Sequence, residues 1–286
     1  MEKIRSDIRV RYSEIAGDHA YYASYYGWIE ANMGGFYRKH RLPYLGFEKQ
    51  GVSTMVAEAV CKFVRPARYD DVVSVSSELA AAAPKRVMFD HEITRAGEVL
   101  AQARTTHVLL QAGAEGPQVF PEELRSLAAR QVERVEVLDK PGDFPAGEPP
   151  ASRNVVEIPV RFRETDAAGA VYFANHYVYF EVGRAEFLRA AGMTFCGLKA
   201  GGLRLPVARA YCRYLAPIGY GDSVMIATWI SEVKKVQLTF RYELVRKSDG
   251  VPFAVGFTAH GCLDATGRPV KVPVGLHALL GPVASV

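Results

Sequence analysis

Residues 165–184 read TDAAGAVYFANHYVYFEVGR, with one acid in a turn of small residues followed by a segment whose aromatics recur at helical spacing. A lone carboxylate just ahead of a helix can do carbonyl chemistry. Asp166 could draw a proton from water or attack directly, and the outward-facing N–H groups of the helix start could hold the developing oxyanion. An acid seven residues before Phe173 can sit across a carbonyl from those donors. The same residues also have a structural explanation, because Asp and Gly are favoured in turns and Asn175 could cap the helix.

The elements that would position such a turn occur twice. FVRPARYDDVVSV (63–75) and YLAPIGYGDSVMI (214–226) share an aromatic start, a Pro, a Tyr, an Asp and an alternating apolar tail. Pro66 and Pro217, Tyr69 and Tyr220, and Asp71 and Asp222 are each 151 residues apart, as are Cys61 and Cys212, Tyr26 and Tyr177, Glu30 and Glu181, and Phe89 and Phe240. Upstream, RVRY (9–12) faces PVRF (159–162) at a spacing of 150, so the first copy is one residue short in the intervening turn. VFPEELRSLA (119–128) resembles KVPVGLHALL (271–280). The chain therefore reads as two copies of one unit, 1–130 and 154–286. They are joined by 131–153, where LDKPGDFPAGEPPAS is too rich in Pro and Gly for helix or sheet. Tandem copies usually reproduce what a symmetric homodimer does with two chains, so the contact between units is where a site is expected.

Within each unit a strand (7–12; 155–162) and a turn lead into one long helix (24–39; 175–191), with Gly192 as a stop signal. Alternating stretches follow, such as ARAYCRYLAP, DSVMIATWISEV, VQLTFRYELVRK and PFAVGFTAHGCLD, which predict an antiparallel sheet. The class is α+β, each unit a long helix wrapped by a curved sheet. Gly183 and Ala185 would let the second helix approach its sheet closely.

Composition narrows the partners. The chain has 286 residues, 49% of them hydrophobic, and a formal net charge of +4, too mild for a nucleic-acid partner but compatible with a few cations around a phosphate-bearing ligand. No window approaches the ~20 apolar residues that span a bilayer and no basic-then-apolar leader is visible, which predicts a cytoplasmic protein with no membrane partner. Cys61, Cys196, Cys212 and Cys262 lack zinc-site spacing and read as buried, reduced thiols.

TDAAGAVYFANHYVYFEVGRAEFL resembles the signature of the 4-hydroxybenzoyl-CoA thioesterase and YbgC-like branch of the hotdog-fold thioesterases, and RYLAPIGYGDSVMI is similar to that branch's strand pattern. Together the two copies extend the resemblance over nearly the whole chain outside the linker, as a tandem hotdog. The resemblance implies hydrolysis of acyl thioesters, usually of coenzyme A, without metal or organic cofactor, and homo-oligomers of the two-unit chain. It places the catalytic acid on Asp166 and the oxyanion donors around Tyr172 to Asn175, with the N–H of Phe173 foremost.

Departures from that pattern matter. YbgC-like members carry a His where this chain has Phe173, so an aromatic-bearing relative is the nearer template. His176 lies three residues on; it reads more readily as a surface or packing residue than as a base, and stays a lesser candidate for that role. In the first copy, YSEIAGDHAYYASYY has Ile15 or Ala16 opposite Asp166, and Glu14 aligns with Glu164. That copy has either lost its site and become a structural partner, or rebuilt one from Asp18 and His19. If Asp166 faces the first helix, Tyr25, Tyr26, Trp28, Ile29, Glu30 and Met33 would wall an aryl or bulky acyl pocket, although Trp28 and Met33 read more naturally as core. Glu30 and Glu181 either bind a polar acyl substituent or face solvent. Lys85 with Arg86, and Lys234 with Lys235, begin equivalent strands and suit the phosphates of coenzyme A, or protect strand edges. His107 and His260 read as structural. The alternatives are a hydratase or dehydratase of acyl thioesters, a non-catalytic acyl-thioester binding protein, and a hydrolase acting on carrier-protein thioesters.

Overall fold

In each unit the alternating stretches pair into an antiparallel sheet, and the aromatic-rich helix lies against it. The computed structural model describes residues 3–40, 52–111, 113–128 and 153–279, so the linker read at 131–153 lies outside the described residues except for Arg153. The chain divides into two units, Met1–Gly142 and Asp143–Val286.

The first unit contains β1 (Ile4–Arg9), a short hairpin of β2 (Ile15–Ala16) and β3 (His19–Ala20), α1 (Ser24–Lys39), β4 (Val52–Phe63), β5 (Val72–Ala83), β6 (Arg86–Arg95), β7 (Glu98–Gln111) and the short α2 (Glu122–Arg125). Its main sheet runs β1-β5-β6-β7-β4. The second contains β8 (Asn154–Pro159), α3 (Asn175–Ala190), α4 (Phe195–Ala200), β9 (Val207–Tyr214), β10 (Ser223–Val233), β11 (Gln237–Arg246), β12 (Pro252–Gly261) and α5 (Val274–His277), with its sheet in the equivalent order β8-β10-β11-β12-β9. All these pairs are antiparallel. Even the irregularities repeat, with a register shift at Leu79/Ala81 in one unit and at Ile230/Glu232 in the other.

The helices bury their aromatics on the sheets. Phe36 meets Phe89 edge-on at 5.1 Å, and Phe187 meets Phe240 in the same geometry at 5.9 Å. Gly183 lets α3 approach closely, because a Cβ there would overlap Thr228 Oγ1 and Ile226 Cγ2; Ala185 is only half-buried. Gly192, at φ 73°, ends α3 in a Schellman motif, its N–H on Arg189 O (3.0 Å) and that of Met193 on Leu188 O (2.8 Å).

The strands expected at 7–12 and 155–162 stop at Arg9 and Pro159. Tyr12–Glu14 and Phe162–Glu164 are instead single 3-10 turns, because the Glu14 and Glu164 carboxylates accept the backbone N–H of Arg11 and Arg161 (2.8 and 2.9 Å) and bend the chain. Among the described residues no helix is long and apolar enough to cross a membrane. Cys61, Cys212 and Cys262 are buried, whereas Cys196, expected inside, is exposed on α4.

Candidate active site

Asp166 stands in a tight turn between Thr165 and Val171, which pair across it. Its N–H donates to Ala170 O (2.8 Å), its carbonyl accepts from Gly169 N–H (3.0 Å), and its Oδ1 accepts from Ala168 N–H (2.9 Å). Gly169 supplies the positive φ of 78° that this reversal needs. The carboxylate still reaches solvent, but partial burial raises its pKa above the ordinary aspartate value; the N–H groups of Ala168 and Ala170 act in the opposite direction.

Glu164 fastens this turn to the start of α3. Its buried carboxylate accepts from Arg161 Nε (2.8 Å) and from the Tyr179 hydroxyl one turn into the helix (2.9 Å). Its carbonyl accepts both the Tyr172 N–H (2.8 Å) and the Asn175 side-chain amide (2.9 Å). Asn175 is therefore not the cap that its type suggested: Ala174 holds that place without a side-chain bond, and the Asn175 amide donates backwards. The N–H groups of Asn175, His176 and Tyr177 close onto the carbonyls of Tyr172, Phe173 and Ala174 (2.8, 3.4 and 3.1 Å). The Tyr172 N–H is likewise held, by Glu164 O.

His176 is buried, edge-on to Tyr214 at 4.8 Å and against Phe253 at 5.7 Å. Burial lowers its pKa to about 4, opposed by the nearby carbonyls of Tyr172 and Phe173. Nδ1 has no well-formed hydrogen bond. It is a neutral packing residue, as its helix position suggested.

In the first unit the same frame carries no acid at the matching place. Glu14 accepts from the Arg11 guanidinium (2.8 Å) and the Trp28 indole (3.1 Å), repeating the Glu164 clamp. The pairing of Ile15 with Ala20 and Ala16 with His19 puts Ala16 opposite Asp166. The missing residue shortens the turn to Gly17 and Asp18. Asp18 and His19 touch through Oδ1 and Nδ1 (3.0 Å) with side chains 54% and 45% exposed, an adjacent surface pair.

Tyr26 is fully buried, and Tyr25, Trp28, Ile29 and Met33 join it in the first unit's core. Glu30 is half-buried with its pKa raised by burial, which Arg38 opposes. Glu181 is half-buried on α3. Lys85 with Arg86, and Lys234 with Lys235, lie at equivalent hairpin turns, and Lys234 pairs with Glu232 at 3.2 Å. Sequence reasoning passed over Tyr214, whose hydroxyl donates to Phe173 O (3.0 Å), and Tyr179 in the Glu164 clamp. Tyr214 was visible as a mismatch in the repeat, since Phe63 stands in its place.

Comparison with known proteins agrees with this architecture. The sequence model of the Thioesterase-like superfamily matches residues 10–127 and again 160–280. A candidate esterase of Aquifex aeolicus (strain VF5) is 36% identical over 114 residues, 40% of this chain and 87% of the relative. YneP of Bacillus subtilis (strain 168), a candidate acyl-CoA thioesterase, is 30% identical over 108 residues, 38% of this chain and 78% of the relative. The crystal structure of a candidate oleoyl thioesterase from Lactobacillus plantarum superposes with a TM-score of 0.77 at 17% identity, covering 91% of this chain and 96% of that one, a likeness of fold. With two tandem hotdog units both matched, the chain belongs to the Thioesterase-like superfamily.

Proposed function

We propose that the protein hydrolyses acyl-CoA thioesters at the second unit, with Asp166 as the catalytic carboxylate and the N–H of Phe173 as the main oxyanion donor. Thioester hydrolysis itself is the activity of the family. The observation that carries the residue assignment is the bifurcated use of Glu164 O by the Tyr172 N–H and the Asn175 amide, which makes the Asp166 turn and the start of α3 one rigid piece. Base and donors then keep their spacing as charge develops. Asp166 takes a proton from water as the oxygen attacks the thioester carbonyl, or attacks that carbonyl itself to leave an acyl-aspartyl anhydride, which water then hydrolyses to the free acid and the Asp166 carboxylate, releasing the proton that the thiolate takes up. The oxyanion forms against the helix start, and its collapse expels the thiolate, which takes up the proton. A raised pKa suits a base better than the lowered one that an Asx turn alone would produce.

Coenzyme A is the proposed carrier, supported by the likeness to YneP; an acyl-carrier-protein thioester is the other carrier with this chemistry. Free cysteines and the absence of a spanning helix among the described residues support a cytoplasmic protein. A homo-oligomer of the two-unit chain would cover the aromatic pairs Tyr12–Tyr69 and Phe162–Tyr220, which stand exposed in both units. The decisive experiment is thiol release from aryl, medium-chain and long-chain acyl-CoA by wild type beside Asp166→Asn. Loss of at least about 100-fold in kcat in a folded variant supports the assignment. Activity unchanged in the variant overturns it, and no release from any CoA substrate by wild type overturns the choice of carrier.

A further inference from the structure

The duplicated chain contains its own control: features present in both units serve the fold, and those confined to the unit with Asp166 are left for the reaction. The Glu clamp is common to both. So are the Tyr21 and Tyr172 N–H groups on Glu14 O and Glu164 O (2.8 Å each), and the Ser24 and Asn175 N–H groups on Tyr21 O and Tyr172 O (2.9 and 2.8 Å). Three differences surround the Phe173 turn and the start of α3. The second unit has the Asn175 amide where the first has Ser24, and His176 where the first has Tyr25, whose hydroxyl accepts the Ala67 N–H (2.9 Å). It also has the Tyr214 hydroxyl on Phe173 O (3.0 Å) where the first has Phe63.

We propose that Tyr214 is a positioning residue for thioester hydrolysis, locking through the Phe173 carbonyl the backbone turn whose N–H groups receive the oxyanion. This rests on the reading that Phe173 lies at the oxyanion site. In a trans peptide the N–H points opposite the C=O. A hydrogen bond to Phe173 O therefore orients and polarises the N–H of Ala174. The Asn175 N–H on Tyr172 O does the same for the N–H of Phe173. The Tyr214 ring is wedged edge-on to Phe173 (6.3 Å) and His176 (4.8 Å), so packing sets the direction of its hydroxyl. Tyr214 acts through the peptide and exchanges no proton with substrate. Neutral His176 completes the wedge.

The test is Tyr214→Phe, which removes one oxygen and installs the side chain that the first unit already accommodates. One hydrogen bond on the donor frame corresponds to a fall in kcat of about tenfold. KM should stay within about twofold of wild type and the acid limb of the kcat profile should not move, because donors and not the base are disturbed. Phe63→Tyr leaves kcat unchanged. In an Asp166→Asn background, where substrate persists, the infrared carbonyl stretch of bound acyl-CoA labelled with carbon-13 should be less red-shifted once Tyr214 is also Phe. Wild-type kcat in Tyr214→Phe overturns the proposal, as does a rise in KM with unchanged kcat or an unaltered carbonyl stretch. Full activity in Asp166→Asn overturns the base instead and leaves Tyr214→Phe to report on the donors; no thiol release by wild type from either acyl-CoA or acyl-carrier-protein thioesters overturns both.

Discussion

Glu164 accepts the hydroxyl of Tyr179 at 2.9 Å in the place where Glu14 accepts the indole of Trp28 at 3.1 Å. Two different donors from the helix thus serve one carboxylate, and in both units that carboxylate also binds the guanidinium and backbone N–H of the Arg three residues earlier. Glu164→Gln keeps the volume but replaces charge-assisted bonds and presents an amide to donors. We expect a loss of about 1–3 kcal/mol in the second unit's stability, read by chemical denaturation, with a fall in kcat as the Asp166 turn loosens. Glu14→Gln should destabilise the first unit without the same fall in kcat.

Asp166 also predicts the pH dependence of turnover. The base works deprotonated, so kcat falls as pH drops through its pKa, and partial burial has moved that pKa upward. The acid limb should therefore lie above the ordinary aspartate range near 4. An acid limb at or below that range in a kcat–pH profile would remove Asp166 as the base.

The repeat, the class, the two long helices and the turn acid were legible because each rests on local pattern: a constant spacing, a helical period, a Gly stop. The extent of α1 follows directly from its apolar period, as the structure gives Ser24–Lys39. The Glu164 clamp and the Tyr214 tether were not legible, because Glu164 meets Tyr179 and Tyr214 meets Phe173 across 15 and 41 residues of chain, contacts that only the folded unit brings together. The strand ends were misjudged for a related reason. Alternation continues through Tyr12 and Phe162, but the carboxylates of Glu14 and Glu164 capture the chain first. The polar centre of the first unit was equally hidden: Asn32 donates to Ser77 (2.7 Å), Ser77 meets His91 (2.8 Å), and both His91 and His107 meet Thr105 (2.9 and 2.8 Å).

Those buried histidines set the acid sensitivity of the fold. Burial lowers the pKa of His91 and His107 to about 3 and of His176 to about 4, and it holds His260 well below its ordinary value. The neighbouring His107 and the Arg104 charge add to the effect at His91. Unfolded, each group titrates near 6.5. The unfolded chain thus binds more protons throughout the window between about 6.5 and the folded values, so stability is full above that window and falls with acidification. Each histidine contributes a slope of about 1.4 kcal/mol per pH unit, and the linked pair at Thr105 titrates as one system. Urea midpoints should fall steeply from pH 7 to pH 5, and His91→Gln should flatten that fall. Midpoints independent of pH across this range would contradict the burial.

Gly183 tests how closely α3 must approach its sheet. A Cβ there would overlap Thr228 Oγ1 and Ile226 Cγ2, both on β10, so Gly183→Ala forces helix and strand apart. Overpacking of this kind costs about 1–3 kcal/mol. Thr228→Ala removes the nearer obstacle, and the double variant should recover part of the loss, a coupling that a denaturant-melt cycle measures directly.

Ala16→Asp asks whether the first unit lacks only its acid. The hairpin there closes through Gly17 and Asp18 alone, with Ala16 paired to His19, whereas Asp166 spans a longer turn to Ala170. A carboxylate at position 16 would enter the shorter turn, beside Asp18. The helix start it would serve has Phe63 and Ser24 in place of Tyr214 and Asn175, so its carbonyl and amide tethers are missing. In an Asp166→Asn background, Ala16→Asp should therefore restore no thiol release. Adding Phe63→Tyr, Ser24→Asn and one Ala after position 16 supplies the tethers and the lost residue together. Partial activity in that combined variant, and none in Ala16→Asp alone, is the outcome expected if acid, turn length and donor frame are needed at once; activity from Ala16→Asp by itself would show that the carboxylate suffices.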